Sequence, residues 1–286
     1  MNQDRARFGQ VLRRRPRSLA CLTTAVLLCL GGAVAGQPAL TTAAPRAILV
    51  EFATRKVLFE KNADQLTAPA SLAKLMTVEV LLDQIRKGRV RLDDAFTVSE
   101  QAARLARGAT LTLKPETKVA VRDLLQGMLV VSANNAAIVV AEGIAGSVPP
   151  FAALMNLRAR EIGLTRSRFT NPHGLPDPGQ HVTMREMAAL AAHLIRTYPE
   201  HYGFFGQQAF TFNGVTQRNR NPLLGLGIGA DGLKTGQTNE AGYALVASAE
   251  RDGRRLILGM NGLKSEADRA QEARKLLEWG FGRGSE

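Results

Sequence analysis

The chain has 286 residues, of which 45% are hydrophobic, 22% are charged and 5% are aromatic. This composition is too apolar for a disordered chain and too polar for a protein with many transmembrane segments. The formal charge of +12 would suit an anionic partner. Basic and aromatic residues are not interleaved as they are in nucleic-acid-binding proteins, so we expect no nucleic-acid partner.

Residues 1–35 have the pattern of a secretory signal peptide. Four arginines between positions 13 and 17 precede 18 uncharged residues, and Ala33-Val34-Ala35 supplies small residues for cleavage. The alternative is a retained anchor, because 18 apolar residues can just cross a bilayer. We expect cleavage, export to the periplasm or the extracytoplasmic face of the cell envelope, and no stable membrane anchor once the signal is removed.

Removal of this segment changes the charge and the cysteine content. Residues 1–35 carry six arginines and one aspartate, which leaves 31 basic and 24 acidic groups and a formal charge of +7. Cys21 and Cys29 both lie in the segment, so the mature chain contains no thiol. Cysteine catalysis and thiolate metal sites are therefore excluded.

A linker over residues 36–45 precedes a predicted β-hairpin, in which residues 47–52 pair with residues 56–60. Helical patterns follow in the middle of the chain. Their predicted ranges are 71–85 with Pro69 before the first turn, 121–145 with a break near Ser132, 151–162, and a helix that starts with a capping box formed by Thr183 and Glu186 and ends before Pro199.

The C-terminal part is predicted to return to β-structure. Glycines at 225, 227, 229 and 232 mark a loop, strands follow over residues 243–249 and 256–260, and a last helix covers residues 266–279. Strands therefore lie at both ends of the chain. We expect an α+β domain over residues 46–286, with one antiparallel sheet flanked by helices and an inserted all-helical lobe.

Ser71 and Lys74 form the first candidate catalytic pair. Residues i and i+3 at a helix start share a face, so the lysine amine can reach the serine hydroxyl. A serine needs such a base to act as a nucleophile, and a lysine serves only when its pKa is lowered enough to leave it neutral. The pattern is weak alone, because about one Ser-x-x-Lys is expected by chance in a chain of this length.

Lys234-Thr235-Gly236 is a rarer pattern, and it stands where the β-rich segment begins. The glycine allows a substrate backbone to lie against the strand, while the lysine and threonine offer a cation and a hydroxyl to a carboxylate. The alternative is a turn with an exposed lysine. Ser132-Ala133-Asn134 lies between the two patterns, in a break within an apolar helical stretch where polar groups need partners.

These three motifs, in this order, resemble those of the penicillin-recognising serine enzymes. The resemblance is closer to the low-molecular-weight D-alanyl-D-alanine carboxypeptidases, and it extends from about Arg46 to Phe281. It includes further segments, which are Leu113-Lys114-Pro115, Asn171-Pro172-His173-Gly174-Leu175, Asp231-Gly232-Leu233, Ala241-Gly242-Tyr243 and Leu276-Leu277-Glu278-Trp279-Gly280-Phe281. It implies a β-lactamase/transpeptidase-like fold, peptidoglycan stem peptides as substrates and β-lactam antibiotics as covalent inhibitors.

The resemblance also implies roles for the motif residues. Ser71 would attack the carbonyl between two terminal D-alanines and form an acyl-enzyme. Lys74 would accept the proton of Ser71 and later help to activate the deacylating water. Ser132 would pass a proton to the departing D-Ala amine, and Asn134 would orient the substrate amide and Lys74.

Substrate binding would involve the residues of the last motif. Lys234 and Thr235 would bind the terminal carboxylate beside Gly236, and Arg269 stands where these enzymes place a further arginine for it. The alternative for Arg269 is an exposed cation in the first turn of the last helix. The backbone N–H groups of Ser71 and Gln237 would form the oxyanion hole.

The sequence departs from the family pattern at two positions. Ala133 replaces the usual glycine of Ser-Gly-Asn, and its methyl would crowd the turn if that residue needed a positive φ. Gln237 replaces the usual histidine, which leaves the backbone donor intact. His173 is expected to brace a loop, and His181, His193 and His201 lack metal-ligand spacing. We expect no metal and no cofactor.

The preferred function is therefore a serine D-Ala-D-Ala carboxypeptidase that trims stem pentapeptides. A D,D-endopeptidase that cleaves cross-links, or a non-catalytic wall-binding relative, remains open. A β-lactamase is less favoured because no glutamate stands in a recognisable position to speed deacylation. Many related enzymes continue into a β-rich domain and an amphipathic membrane helix; here we expect the catalytic domain alone.

Overall fold

The structure is a computed structural model that describes residues 40–283. The predicted signal peptide and the first four residues of the predicted linker lie outside the described residues. Within the described range the chain forms nine strands, which are β1 (Arg46–Glu51), β2 (Val57–Lys61), β3 (Ala95–Thr97), β4 (Lys118–Ala120), β5 (Ala209–Phe212), β6 (Val215–Arg218), β7 (Ala230–Thr238), β8 (Gly242–Arg251) and β9 (Arg254–Leu263).

Seven α-helices lie in the same range, which are α1 (Lys74–Arg86), α2 (Glu100–Arg104), α3 (Val121–Gln126), α4 (Asn134–Ala145), α5 (Val148–Glu161), α6 (Met184–Thr197) and α7 (Glu266–Gly282). Two 3₁₀ segments, Ala70–Ala73 and Pro199–Gly206, and one π-helical segment, Gly127–Val131, complete the elements. Among residues 40–283 no single helix is long and apolar enough to span a bilayer; α4 and α5 meet those criteria only when taken together, and they are bent by 84°.

The main sheet joins the two ends of the chain. Its strand order is β2-β1-β9-β8-β7, and every neighbouring pair is antiparallel. This confirms the α+β architecture predicted from strand patterns at both ends. β7 forms one edge of the sheet, and helices α1–α6 all lie between β2 and β7 in the sequence.

Helices cover both faces of the sheet at β9. A Cβ added to Gly259 would lie 3.0 Å from the backbone oxygen of Met184 at the start of α6. A Cβ added to Gly280 of α7 would lie 2.8 Å from Leu256 Cδ1. Residues 256 and 259 point to opposite faces of a strand because side chains alternate. Helices α6 and α7 therefore lie on opposite sides, which explains why β8 and β9 are buried along most of their length.

Helix α1 is the central helix of the inserted lobe. Residues 74–84 are all buried, so α1 has no solvent-facing stripe over three turns. This buried stretch includes two acids, Glu79 and Asp83, which both have fully buried side chains. Buried carboxylates need a charged or hydrogen-bonding partner. Arg158 of α5 supplies it for Glu79, since its Nη2 donates to Glu79 Oε1 at 2.6 Å, whereas Asp83 has its nearest cation in Lys87 at 2.6 Å and lies 3.7 Å from Arg158 Nη2.

We expect Arg158→Ala to lower the free energy of unfolding by about 3–5 kcal/mol, because it removes the guanidinium that pairs with the buried Glu79 carboxylate. Denaturant unfolding of the two proteins measures the difference. Arg160→Ala is the matched control on the same helix, since Arg160 is exposed and has no ion pair with another described residue. A loss no larger than the change of about 0.5 kcal/mol expected at a surface position would contradict the prediction.

The structure differs from the predicted boundaries in several places, and β7 begins at Ala230, before the end of the loop predicted from Gly225 to Gly232. The helix predicted from residue 71 begins as the 3₁₀ segment Ala70–Ala73, and the α-helix itself starts at Lys74. The end of the predicted linker is not free chain: Thr42 and Ala44 are buried, and the Ala43 N–H donates to the Glu272 carboxylate of α7. Packing of the domain therefore begins before residue 46.

The capping box is only half formed. The Thr183 hydroxyl accepts from the Glu186 N–H at 3.1 Å, as predicted. The Glu186 carboxylate does not complete the reciprocal bond and instead accepts from the Arg166 N–H and from the Ser167 hydroxyl. The short strands β3–β6 form two two-stranded sheets that were not predicted, because runs of three or four residues carry too little periodicity.

Candidate active site

Ser71 and Lys74 lie together at the start of α1. The 3₁₀ turn over Ala70–Ala73 stacks residues i and i+3 directly above one another. Lys74 Nζ is 3.0 Å from Ser71 Oγ, and the lysine side chain is completely buried. The predicted contact between hydroxyl and amine is therefore present in the structure.

Lys74 has two further partners from distant segments. Its Nζ donates to Asn134 Oδ1 at 2.6 Å and to the backbone oxygen of His173 at 2.7 Å. The Asn134 amide is fixed in this orientation because its Nδ2 donates to the Arg107 backbone oxygen at 2.8 Å. A neutral amine has two N–H donors and one lone pair, so two obligatory acceptors leave the lone pair for the Ser71 hydroxyl.

The electrostatic surroundings favour this neutral form. Burial, with the positive charges of Lys234 and Arg220, lowers the pKa of Lys74 well below its usual value. No carboxylate is among the hydrogen-bond partners of Lys74 in the described part of the chain. An amine in this environment can accept a proton from a neighbouring hydroxyl.

The break in the helical stretch places Ser132 in the site. The π-helical segment Gly127–Val131 ends at Ser132, which has a φ of +66°, and α4 starts at Asn134. Ala133 has a φ of −60° and a ψ of 120°, which any residue adopts readily. The Ala133 methyl therefore does not meet the condition under which it would crowd the turn, because the positive φ falls on Ser132.

Lys234 on β7 faces Ser132. Its Nζ donates to Ser132 Oγ at 3.0 Å and to the Thr235 backbone oxygen at 3.0 Å. Burial, with the charges of Arg220 and Arg269, lowers the pKa of Lys234 to about 7. The alternative of an exposed lysine at a turn is wrong, since Lys234 is only 1% exposed.

Gly236 allows the edge strand β7 to lie against the turn that carries Ser71. A Cβ at this position would lie 3.1 Å from Ala70 Cβ and 3.3 Å from the Ser71 backbone nitrogen. Few Cβ atoms in proteins approach their neighbours so closely. The glycine therefore allows β7 to pack closely on this turn, and Ser71 and Gln237 line the same cavity.

A cavity of about 360 Å³ collects these groups. Its walls include seven predicted site residues, which are Ser71, Ser132, Asn134, Thr235, Gly236, Gln237 and Arg269. Lys74 and Lys234 are not on its surface; they lie directly behind Ser71 and Ser132 and contact them through Nζ. The residues predicted from separate motifs therefore lie together, at or directly behind the wall of one cavity.

Arg269 is not the exposed cation of the alternative interpretation. It lies in the first turn of α7 with 3% exposure, and its guanidinium donates to Glu266 Oε1 at 2.6 Å. The same group faces the Tyr243 ring at 5.6 Å. Arg269 therefore presents a buried, always-charged donor to the cavity.

His173 braces its loop, as predicted from the sequence. Its Nδ1 accepts from the Leu175 N–H at 3.1 Å, and burial is the main cause that lowers the pKa of the imidazole to about 3. Gly174 has a φ of +85°, and a Cβ there would lie 1.8 Å from the Ala70 backbone oxygen. This loop is therefore pressed against the turn that carries Ser71.

Three contributions were missed by the sequence analysis. Arg220 and Glu266 line the cavity, and the backbone oxygen of His173 binds Lys74. Arg220 and Glu266 belong to no motif, and a backbone oxygen carries no side-chain signature. A basic residue close to Lys234 could have been suspected only from Arg218-Asn219-Arg220, which precedes the glycine-rich loop.

The fold and this constellation define a serine peptidase-like protein, and comparison with known proteins identifies the family. The profile of peptidase family S11, described as D-alanyl-D-alanine carboxypeptidase, matches residues 33–263. The chain belongs to this family, which confirms the resemblance inferred from the three motifs.

Relatives of known name agree with the assignment. The D-alanyl-D-alanine carboxypeptidase DacA of Haemophilus influenzae is 41% identical over 238 residues, which cover 82% of this chain and 61% of that protein. Penicillin-binding protein 5 of the same species has a TM-score of 0.84 at 39% identity, covering 86% of this chain and 73% of that one. The chain spans about three-fifths of the length of such curated relatives.

A Listeria monocytogenes structure offers a ligand-bound comparison. Penicillin-Binding Protein D2, in its ampicillin-bound form, has a TM-score of 0.78 at 32% identity, covering 86% of this chain and 100% of that one. The α+β fold of the present chain is therefore that of the penicillin-binding proteins.

Proposed function

We propose that this chain is a serine-type D-alanyl-D-alanine carboxypeptidase that removes the terminal D-Ala from peptidoglycan stem pentapeptides. One observation carries the proposal: Lys74 is fully buried, and its Nζ lies 3.0 Å from Ser71 Oγ at the wall of a cationic cavity. Binding alone needs no such nucleophile and base. This argues against a wall-binding protein without catalysis.

The acylation step uses the pair at the start of α1. Ser71 Oγ attacks the carbonyl carbon of the penultimate D-Ala, while its proton passes to the lone pair of Lys74. The backbone N–H groups of Ser71 and Gln237 donate to the oxyanion that develops on the carbonyl oxygen. The C–N bond then breaks, and the proton held by Lys74 passes through the Ser132 hydroxyl to the departing D-Ala amine, which leaves Lys74 neutral again.

Deacylation reverses the same proton path. With D-Ala gone, a water molecule enters, and neutral Lys74 takes one of its protons as the oxygen attacks the ester of Ser71. The ester bond breaks, and the proton returns to Ser71 Oγ. Asn134 holds Lys74 through both steps because its Oδ1 accepts from Nζ at 2.6 Å.

Cations on the leaving-group side favour a substrate that ends in a carboxylate. Thr235 and Arg269, which line the cavity, are the proposed partners of that carboxylate, and Lys234, which lies behind Ser132, helps to bind it through its positive charge. Arg220, which lines the same cavity, adds a further positive charge. Charge-assisted hydrogen bonds of this kind are stronger than neutral ones and give the site selectivity for an anionic terminus.

Two assays on the purified protein test this function. A fluorescent penicillin should label the protein, and mass spectrometry of its digest should locate the adduct on the peptide that contains Ser71. The ampicillin-bound relative supports β-lactams as covalent inhibitors here. Muropeptide analysis should show free D-Ala released from pentapeptides. Monomers released from cross-linked dimers would instead support the D,D-endopeptidase, and an unlabelled folded protein would contradict both enzymes.

The proposed location is the cell envelope outside the cytoplasmic membrane, after removal of residues 1–35. The homologues are bacterial enzymes named for the D-alanyl-D-alanine bond of the cell wall, and this supports an envelope role. N-terminal sequencing of the protein from a periplasmic fraction should begin near residue 36. A chain that starts at residue 1 and resists salt extraction from membranes would support the retained anchor.

The lowered pKa of Lys234 predicts a pH-dependent KM. Lys234 loses its proton as the pH rises through about 7, so the KM for a D-Ala-D-Ala substrate should rise by up to about tenfold for the next pH unit. Lys234→Arg keeps its charge throughout this range, so its KM should stay flat. Steady-state kinetics at pH 6 to 9 measure both proteins. The same alkaline rise in the variant would contradict this assignment of the titrating group.

A further inference from the structure

The cavity contains a single acidic wall residue among many cations. Arg220 and Arg269 line it, Lys74 and Lys234 lie behind it, and Glu266 is the one carboxylate among its described lining residues. The Glu266 side chain is 67% exposed, whereas the Arg269 side chain is 4% exposed. An exposed acid therefore lies beside a buried cation at the point where an anionic substrate is expected.

The ion pair between Glu266 and Arg269 is short, but it uses only one of the guanidinium nitrogens. Glu266 Oε1 accepts from Arg269 Nη2 at 2.6 Å, and the other protein acceptor of Nη2, the Arg220 backbone oxygen, lies at 3.5 Å. Arg269 Nε is buried and has no hydrogen-bond partner among the described residues. The pair is therefore not bidentate, and one exposed carboxylate makes the main contact of this guanidinium.

Local structure explains why Glu266 can both occupy and leave this position. Glu266 and Arg269 are i and i+3 in the first turn of α7, so their side chains share a face. The Ser265 hydroxyl caps this turn by accepting from the Asp268 N–H at 3.0 Å. An acid in the first turn is also stabilised by the helix dipole, so Glu266 keeps a favourable environment when it releases Arg269.

We propose that Glu266 is a specificity-determining residue, an internal carboxylate that occupies Arg269 in the free site and yields to the terminal carboxylate of the substrate. The inference rests on the function proposed above. The contact is an ion pair with an exposed partner, which is weak enough to be displaced. A ligand without a carboxylate cannot replace Glu266. After cleavage, Glu266 returns to Arg269 and opposes retention of the released D-alanine.

Glu266→Gln tests this role because glutamine keeps the size and the acceptor oxygen but loses the charge. The KM for a peptide ending in D-Ala-D-Ala should fall about two- to fivefold, the range expected for removal of an exposed ionic competitor, with kcat unchanged. Inhibition by free D-alanine should strengthen by the same factor. The kcat/KM for the same peptide with an amidated C-terminus should not change.

Asp268→Asn is the matched control. Asp268 lies in the same turn but does not line the cavity, and the substitution removes the same charge. An unchanged KM in Glu266→Gln, an increased KM, or an equal fall in Asp268→Asn would overturn the proposal. An increase would mean that Glu266 positions Arg269 for the substrate. Penicillin labelling of the wild type separates the role of Glu266 from the proposed function. If the wild type is labelled and the KM of Glu266→Gln is unchanged, only the role of Glu266 is overturned. If the wild type is not labelled, both proposals are overturned.

Discussion

Ser71→Ala is expected to abolish covalent labelling by penicillin and to lower the rate of D-Ala release by about four orders of magnitude or more, as for other removed serine nucleophiles. The hydroxyl is the only one within hydrogen-bond distance of Lys74 Nζ among the described residues. The nearest substitute in the cavity, Ser132, accepts a hydrogen bond from Lys234 at 3.0 Å. An acceptor of a cationic donor is a weak nucleophile, so Ser132 should not replace Ser71.

Gel fluorescence measures the loss of penicillin labelling, and an assay of free D-Ala measures the loss of peptidase activity. Thermal unfolding checks that the variant is folded. Ser147→Ala is a matched control, because Ser147 is exposed at the start of α5 and its side chain forms no cap hydrogen bond. It should retain full labelling. A stable adduct on folded Ser71→Ala would remove Ser71 from the mechanism, whereas loss in both variants would indicate a general defect.

The sequence predicts the parts of the site whose geometry is local. Ser71 and Lys74 are three residues apart, so any helical start brings their side chains to one face. Lys234 to Gln237 are consecutive on β7, and their order along the strand follows from the motif alone. The sheet was predictable for a similar reason, since β1 and β9 each bury a continuous apolar run at opposite ends of the chain.

The chemical state of Lys74 could not be predicted from the same pattern. It depends on acceptors 60 and 99 residues away, Asn134 Oδ1 and the His173 backbone oxygen. It also depends on cations at positions 220 and 234 that burial brings close. No local periodicity carries information on such contacts, because they arise when the helical lobe packs on the edge strand. The family resemblance anticipated Asn134 and Lys234, but it anticipated neither Arg220 nor the backbone oxygen of His173.

Two local conformations depend on structure outside the sequence pattern. The positive φ lies at Ser132, where the π-helical segment ends, and not at Ala133, for which the sequence analysis considered only the consequence of a positive φ. The Glu186 side chain was expected to cap its own helix, but tertiary contacts with Arg166 and Ser167 satisfy it instead. In both cases a contact or a turn outside the local pattern determined the conformation.

Lys74→Arg is expected to lower the rate of penicillin acylation by about two to four orders of magnitude, the usual contribution of a general base. The guanidinium keeps a positive charge and hydrogen-bond donors near Asn134, but it cannot lose a proton and so cannot accept one from Ser71. Arginine is also larger than the buried site that holds lysine, so a loss of activity in this variant alone would be ambiguous.

Lys74→Met removes that ambiguity, since methionine matches the lysine stem in length and is stable when buried. If Lys74 acted only as a cation, the arginine variant would keep acylation. If it acted only by packing, the methionine variant would keep it. Neither arginine nor methionine can act as a neutral base, so both folded variants should lose acylation equally although Ser71 is still present. Acylation within about tenfold of the wild type in either variant would refute the role of a base, because a tenfold change corresponds to only about 1.4 kcal/mol of barrier.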